Sequence, residues 1–207
     1  MMKIFKGLLN SDKFSTHRLD AFSDGVFAIV ITLLVLELRV PEVSGEHISQ
    51  ELRQGLIELL PKFISFVVSF FYISIYWVNH HQLFHELKSS DRRLFWLNCL
   101  FLMCLTFIPF PTALIGSYPN EPTAVVFYGI AMMATAASFV LMKVYIIREA
   151  RLVDTAQYLR GSLFYILAGP LLYLAALLLA LINIKITIAI YILVPVIYLF
   201  AGKRLNG

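Results

Sequence analysis

The sequence predicts an all-α membrane protein with six transmembrane helices per subunit. Three observations predict it. Of 207 residues, 59% are hydrophobic and only 14% are charged, and a soluble domain of this size has no interior able to hide so much apolar surface. Apolar runs of about 20 residues, enough to cross the hydrocarbon of a bilayer, occur six times. The Lys and Arg residues fall unevenly on alternate loops, as they do in multi-pass proteins.

The chain reads as one domain, 1–207. Its start, MMKIFKGLLNSDKFSTHRLD, is charged throughout and lacks the apolar core and small-residue cleavage site of a secretory signal. Spans are expected at about 19–39, 62–84, 94–115, 123–147, 161–182 and 187–202. Pro170 and Pro195 are candidate kinks in the fifth and sixth, of a kind that membrane helices tolerate. Between the first two spans, SGEHISQELRQGLIELLPKF carries Ile48, Leu52, Leu56, Leu59 and Leu60 at helical spacing. It predicts a short amphipathic helix lying at the membrane surface. Cys99 and Cys104 sit in one apolar run, off a common helix face, and imply no disulfide framework.

Orientation follows from the cations. Lys3, Lys6, Lys13, Arg18, Lys88, Arg92, Arg93, Lys143, Arg148, Arg151, Arg160, Lys203 and Arg204 share one side of this arrangement. Arg39, Arg53, Lys62 and Lys185 take the other. The positive-inside rule then places both termini in the cytoplasm of a multi-pass protein of the cell membrane.

The first span, RLDAFSDGVFAIVITLLVLELRVP, carries Asp20 and Asp24 at its cytoplasmic end. At about 100° per residue, Arg18, Phe22, Ile29, Thr32, Leu33 and Leu36 share one face, and Asp20, Ser23 and Asp24 lie on the opposite half. The plainer reading of the Ile29 face is packing or lipid contact. Charge inside a bilayer is expensive and needs donors. Trp77, Asn79, His80 and His81 end the second span at the same depth, and Asn98 opens the third. Asp24 is therefore expected to anchor a buried polar network at the cytoplasmic end. Its plainer alternative is a carboxylate reaching headgroup water.

Several chemistries lack their residues. His81 and His85 share a helix face with Glu86 following, but the other histidines that a membrane metalloenzyme needs are not nearby. FSDG lacks the flanking glycines of a nucleophile elbow, and no phosphate-binding glycine loop occurs. The basic loops are explained by topology and anionic lipid, so neither a nucleic-acid partner nor a cofactor is expected. The TVGYG carbonyl filter of ordinary potassium channels is absent; ions would have to pass along side chains of a helix.

Arg18, Phe22, Ser23 and Asp24, spaced R-x-x-x-F-S-D at the head of a first membrane helix, resemble the signature of the transmembrane protein 175 family of potassium channels. The resemblance extends over the whole chain and is to the prokaryotic members, which assemble as homotetramers of one six-helix unit. It implies that four first helices line a central pore. It implies a hydrophobic constriction at Ile29, a hydroxyl ring at Thr32, and Leu33 and Leu36 further out. Trp77 and either His80 or His81 correspond to the family's polar partners of the signature. A non-enzymatic, potassium-selective cation channel is the leading expectation. A proton- or sodium-coupled transporter using Asp24 is the first alternative, and a His-based membrane metalloenzyme the second. Asp24 lies away from midplane and the first helix is unbroken, which disfavours the transporter.

Overall fold

The computed structural model describes residues 15–43, 47–149, 152–153, 163–180 and 182–201, and for the helical residues 163–168 and 199–201 the backbone alone. Its regular elements are helices: α1 Thr16–Val35, α2 Ile48–Glu58, α3 Leu60–His85, α4 Arg92–Phe107, α5 Pro109–Ser117, α6 Pro122–Arg148, α7 Leu163–Ala180 and α8 Ile184–Ala201. Among the described residues, three segments are long and apolar enough to cross a bilayer: Leu60–His85, Arg92–Ser117 and Pro122–Arg148. Lys3, Lys6, Lys13, Arg151, Arg160, Lys203 and Arg204, on which the orientation partly rests, lie outside the described residues.

Each predicted span has a helix, with instructive differences. The first starts earlier than its apolar run and stops at Val35, after which Leu36 and Leu38 close turns onto Leu33 and Val35. Twenty residues at 1.5 Å still reach about 30 Å. The third span is broken. Pro109 and Pro111 cannot donate to the carbonyls of Leu105 and Phe107. Ile108 N–H turns to Leu105 O at 3.1 Å instead, and α5 begins as a separate segment. Pro170 and Pro195 lie inside α7 and α8 without ending either. Helix α2 buries none of its residues and leaves Ile48, Leu52, Leu56 and Ile57 exposed.

Among the described residues the buried apolar side chains form one cluster. Phe27, Val30 and Leu34 of α1 join Ile73 of α3, Phe101 and Leu105 of α4, and Met132, Met142 and Ile146 of α6. Helix α1 packs mainly on α3 and α4. Helix α6 lies against α4, α5 and α7, and α8 closes onto α7 and α3. Gly129 makes the last arrangement possible: a Cβ there would collide with the Tyr191 hydroxyl and come within 2.8 Å of Leu177 Cδ2. The Tyr191 hydroxyl instead donates to Val125 O at 3.3 Å.

Polar ties cross the apolar core. Thr112 Oγ1 lies 2.8 Å from Ile108 O and can only donate to it, so Thr112 accepts from Ser69 Oγ at 2.8 Å. Ser69 in turn accepts from the Tyr128 hydroxyl at 3.1 Å. This relay joins α6, α3 and α5, and all three side chains are buried. At the other end of the bundle, Asp91 caps α4 by accepting Leu94 N–H at 2.9 Å, and its second oxygen accepts from the Tyr145 hydroxyl of α6 at 2.6 Å.

Candidate functional site

Helix α1 has two unlike faces. Leu19, Ser23, Phe27, Val30 and Leu34 are buried against the bundle. Arg18, Phe22, Ile29, Thr32, Leu33 and Leu36 point away from it. Ile29 is 60% exposed and Leu36 67%, although neither is polar. Gly25 on this side has open space where a side chain would project. A continuous apolar stripe left unpartnered on one helix marks a surface made to meet something.

Thr32 sits within that stripe. Its hydroxyl donates to the carbonyls of Ala28 and Ile29 at 3.1 and 2.8 Å, the backbone bond common for threonine in membrane helices. With the proton committed to the helix, the oxygen lone pairs remain free to accept.

The expected hub at Asp24 divides into two latches, and Ser23 takes the buried one. Ser23 Oγ donates to Leu19 O at 2.9 Å and accepts Asn98 Nδ2 at 2.9 Å. Asn98 Oδ1 lies 2.9 Å from His80 Nε2. Because that amide oxygen only accepts, His80 carries its proton on Nε2. Its Nδ1 is buried without a hydrogen-bond partner among the described residues. Ser23, Asn98 and His80 are all fully buried. The imidazole lies against Phe84 at 3.9 Å between ring centres and also touches Phe27 and Phe101. The chain His80–Asn98–Ser23 thus fastens α3 and α4 to α1.

Asp24 forms the second latch. Its carboxylate accepts Trp77 Nε1–H at 2.9 Å. Trp77 is 42% exposed and stacks on the exposed His81 ring. Asp24 therefore bonds neither Asn98 nor His80, and His81 belongs to the outer pair rather than to the buried chain. The physical reason is helical pitch: Ser23 lines up with Leu19, Phe27 and Val30, whereas Asp24 is turned about 100° toward the rim. Asp20 keeps one carboxylate oxygen buried with no hydrogen-bond partner among the described residues. His81 and His85 project outward, and no group of three His, Cys, Asp or Glu side chains close enough to hold a metal occurs among the described residues.

Sequence reasoning missed Ser23 as the buried anchor. The signal was available in the stripe Leu19, Ser23, Phe27, Val30, Leu34, where a lone serine interrupts an apolar face and requires a partner.

The chain has relatives among known proteins. The sequence model of a family described as the endosomal/lysosomal potassium channel TMEM175 matches residues 18–109, from the start of α1 to the α4–α5 break. The chain is 34% identical to a potassium channel of a Chryseobacterium species, over 91% of this chain and 95% of that one. It is 36% identical to a potassium channel of Streptomyces collinus, over 88% and 91% respectively. Among solved structures, it resembles the lysosomal potassium-selective channel homologue from Chamaesiphon minutus with a TM-score of 0.77 and 33% identity. That likeness covers 90% of this chain and 97% of the other.

Proposed function

The chain belongs to the transmembrane protein 175 family, and on that premise we propose that it is a potassium-selective cation channel of the cell membrane. The potassium channels of the Chryseobacterium species and of Streptomyces collinus align with 91% and 88% of this chain, and the family is one of ion channels rather than enzymes. One observation carries the pore assignment: α1 seals one face against its own bundle and leaves Ile29, Leu33 and Leu36 unpartnered.

A single helix cannot enclose a path. Four equivalent copies around an axis are the closed solution, with the Ile29 stripes facing inward. Four isoleucine side chains meeting on the axis leave little room for water, and such a constriction controls conduction by dewetting. Thr32, about one turn beyond, offers oxygen lone pairs to an ion or to its hydration shell. The two latches at Ser23 and Asp24 hold α1 at a fixed rotation, which keeps the stripe aimed at the axis. Six crossings with both termini cytoplasmic complete the subunit, in keeping with the charge distribution of the loops.

The deciding experiment is a reversal-potential measurement on purified protein in a planar bilayer, with potassium on one side and sodium on the other. Reversal close to the potassium equilibrium potential is expected. Absence of current, or ion accumulation against an imposed gradient in liposomes, would refute a channel.

A further inference from the structure

A cleft opens between α3, α6, α7 and α8, away from α1, with a volume of about 80 Å³. At about 30 Å³ per water molecule, it has room for two or three waters or for one small charged group. Its polar lining is nearly all donors: the hydroxyls of Tyr72, Tyr76, Tyr173 and Tyr198, and the ammonium of Lys143. Asn79 also lines it, but its amide nitrogen already donates to Ile75 O at 2.7 Å. No carboxylate is present in the lining among the described residues.

Two of these donors are deeply buried and face each other. Tyr173 is 2% exposed and Tyr72 4%, and apart from their interaction with one another neither hydroxyl has a hydrogen-bond partner among the described residues. The nearby buried tyrosines differ: Tyr128 is bonded to Ser69, and Tyr191 to Val125 O. Buried hydroxyls are normally satisfied; bonding to each other uses one of these two protons, and the other, at the cleft, points to an absent acceptor. Lys143 adds a charge. It is partly buried on α6, five residues before the helix ends at Arg148, and has no hydrogen-bond or ion-pair partner among the described residues. A lysine at this depth ordinarily snorkels to the headgroups. Waters alone would satisfy the tyrosines but would leave the ammonium without a counter-charge.

We propose that this cleft binds the phosphate group of an anionic phospholipid from the cytoplasmic leaflet, with Lys143 as counter-charge and the spare proton of the Tyr72–Tyr173 hydroxyl pair donated to its oxygens. The chemistry matches the site: an acceptor-only, singly charged group of a few atoms meets a cation and neutral donors. Its acyl chains remain in the bilayer outside the cleft. Basic pockets between membrane helices on the cytoplasmic side commonly take such headgroups. The site rests on the membrane orientation of α6 but not on conduction through α1.

The test uses the full-length protein in vesicles of phosphatidylcholine with and without phosphatidylglycerol, followed by native mass spectrometry of the lipid retained after gentle extraction. Wild type should retain phosphatidylglycerol in preference to phosphatidylcholine. Lys143→Gln should reduce that retention about tenfold, the loss expected for one charge-assisted contact. Arg148→Gln, an exposed cation on the same helix, should leave it unchanged and so control for general attraction to an anionic surface. If Lys143→Gln does not fold, Tyr173→Phe decides, with reduced retention expected. Retention equal to wild type in the folded Lys143→Gln variant, or in Tyr173→Phe when that variant decides, would overturn the proposal. So would equal retention of phosphatidylcholine by wild type, or equal thermal protection of delipidated protein by inorganic phosphate, which would assign the site to a free anion.

Discussion

Ser23 and Asn98 meet at 2.9 Å between α1 and α4, in a position from which water is fully excluded. Ser23→Ala would strand the Asn98 amide nitrogen and should cost about 1–3 kcal/mol. Asn98→Ala should cost more, because it also strands His80 Nε2–H. Thermal unfolding in detergent, followed by size-exclusion chromatography, would rank the two variants. A Ser23→Ala protein as stable as wild type would show that the buried chain does not hold α1.

The Asp24–Trp77 pair differs because both residues are partly open to solvent. Trp77→Phe keeps an aromatic ring, though a smaller one, and removes the N–H. Solvent screening brings its cost to about 1 kcal/mol, well below that of the Ser23 chain. A double-mutant cycle with Asp24→Asn should return a coupling energy of about 0.5–2 kcal/mol. Zero coupling would mean that the two side chains act separately.

Gly129 tests helix approach. Gly129→Ala should destabilise the protein by about 1–3 kcal/mol, as overpacking of a tight contact does, despite alanine's better helix propensity. The obstacle is largely the Tyr191 hydroxyl. Adding Tyr191→Phe should therefore recover much of the loss, and a double variant no better than Gly129→Ala would place the clash at Leu177 instead.

Ile29 and Thr32 test the proposed pore. Ile29→Asn should wet the constriction and raise cation leak in a liposome flux assay. Thr32→Val keeps the shape and deletes the hydroxyl, so it should lower potassium preference in reversal potentials while thermal stability stays close to wild type. Unchanged conductance and selectivity in both variants would remove α1 from the permeation path.

The two faces of α1 were legible in the sequence because an apolar stripe at helical spacing needs only periodicity to be seen. The polar latches were only half legible. Depth along the spans brought Trp77, His80 and Asn98 to the level of Ser23 and Asp24. Which donor meets which acceptor depends on rotations of α3 and α4 that their nearly uniform apolar composition does not encode. Asp24 drew attention as a charge in an apolar run, whereas the uncharged Ser23 had to be identified from its buried neighbours. The Gly129 contact was invisible for a related reason: its partners come from α7 and α8, far along the chain.

The break at Ile108 also has a mechanical meaning. Two prolines remove backbone donors there, so bending the third span at this point stretches fewer hydrogen bonds than bending an unbroken helix. The segments on either side have different polar attachments. Helix α4 is tied to α1 through Asn98 and Ser23, and α5 is tied to α3 and α6 through Thr112, Ser69 and Tyr128. Bending of the third span is therefore cheapest at Ile108, between a segment bonded to α1 and a segment bonded to α3 and α6.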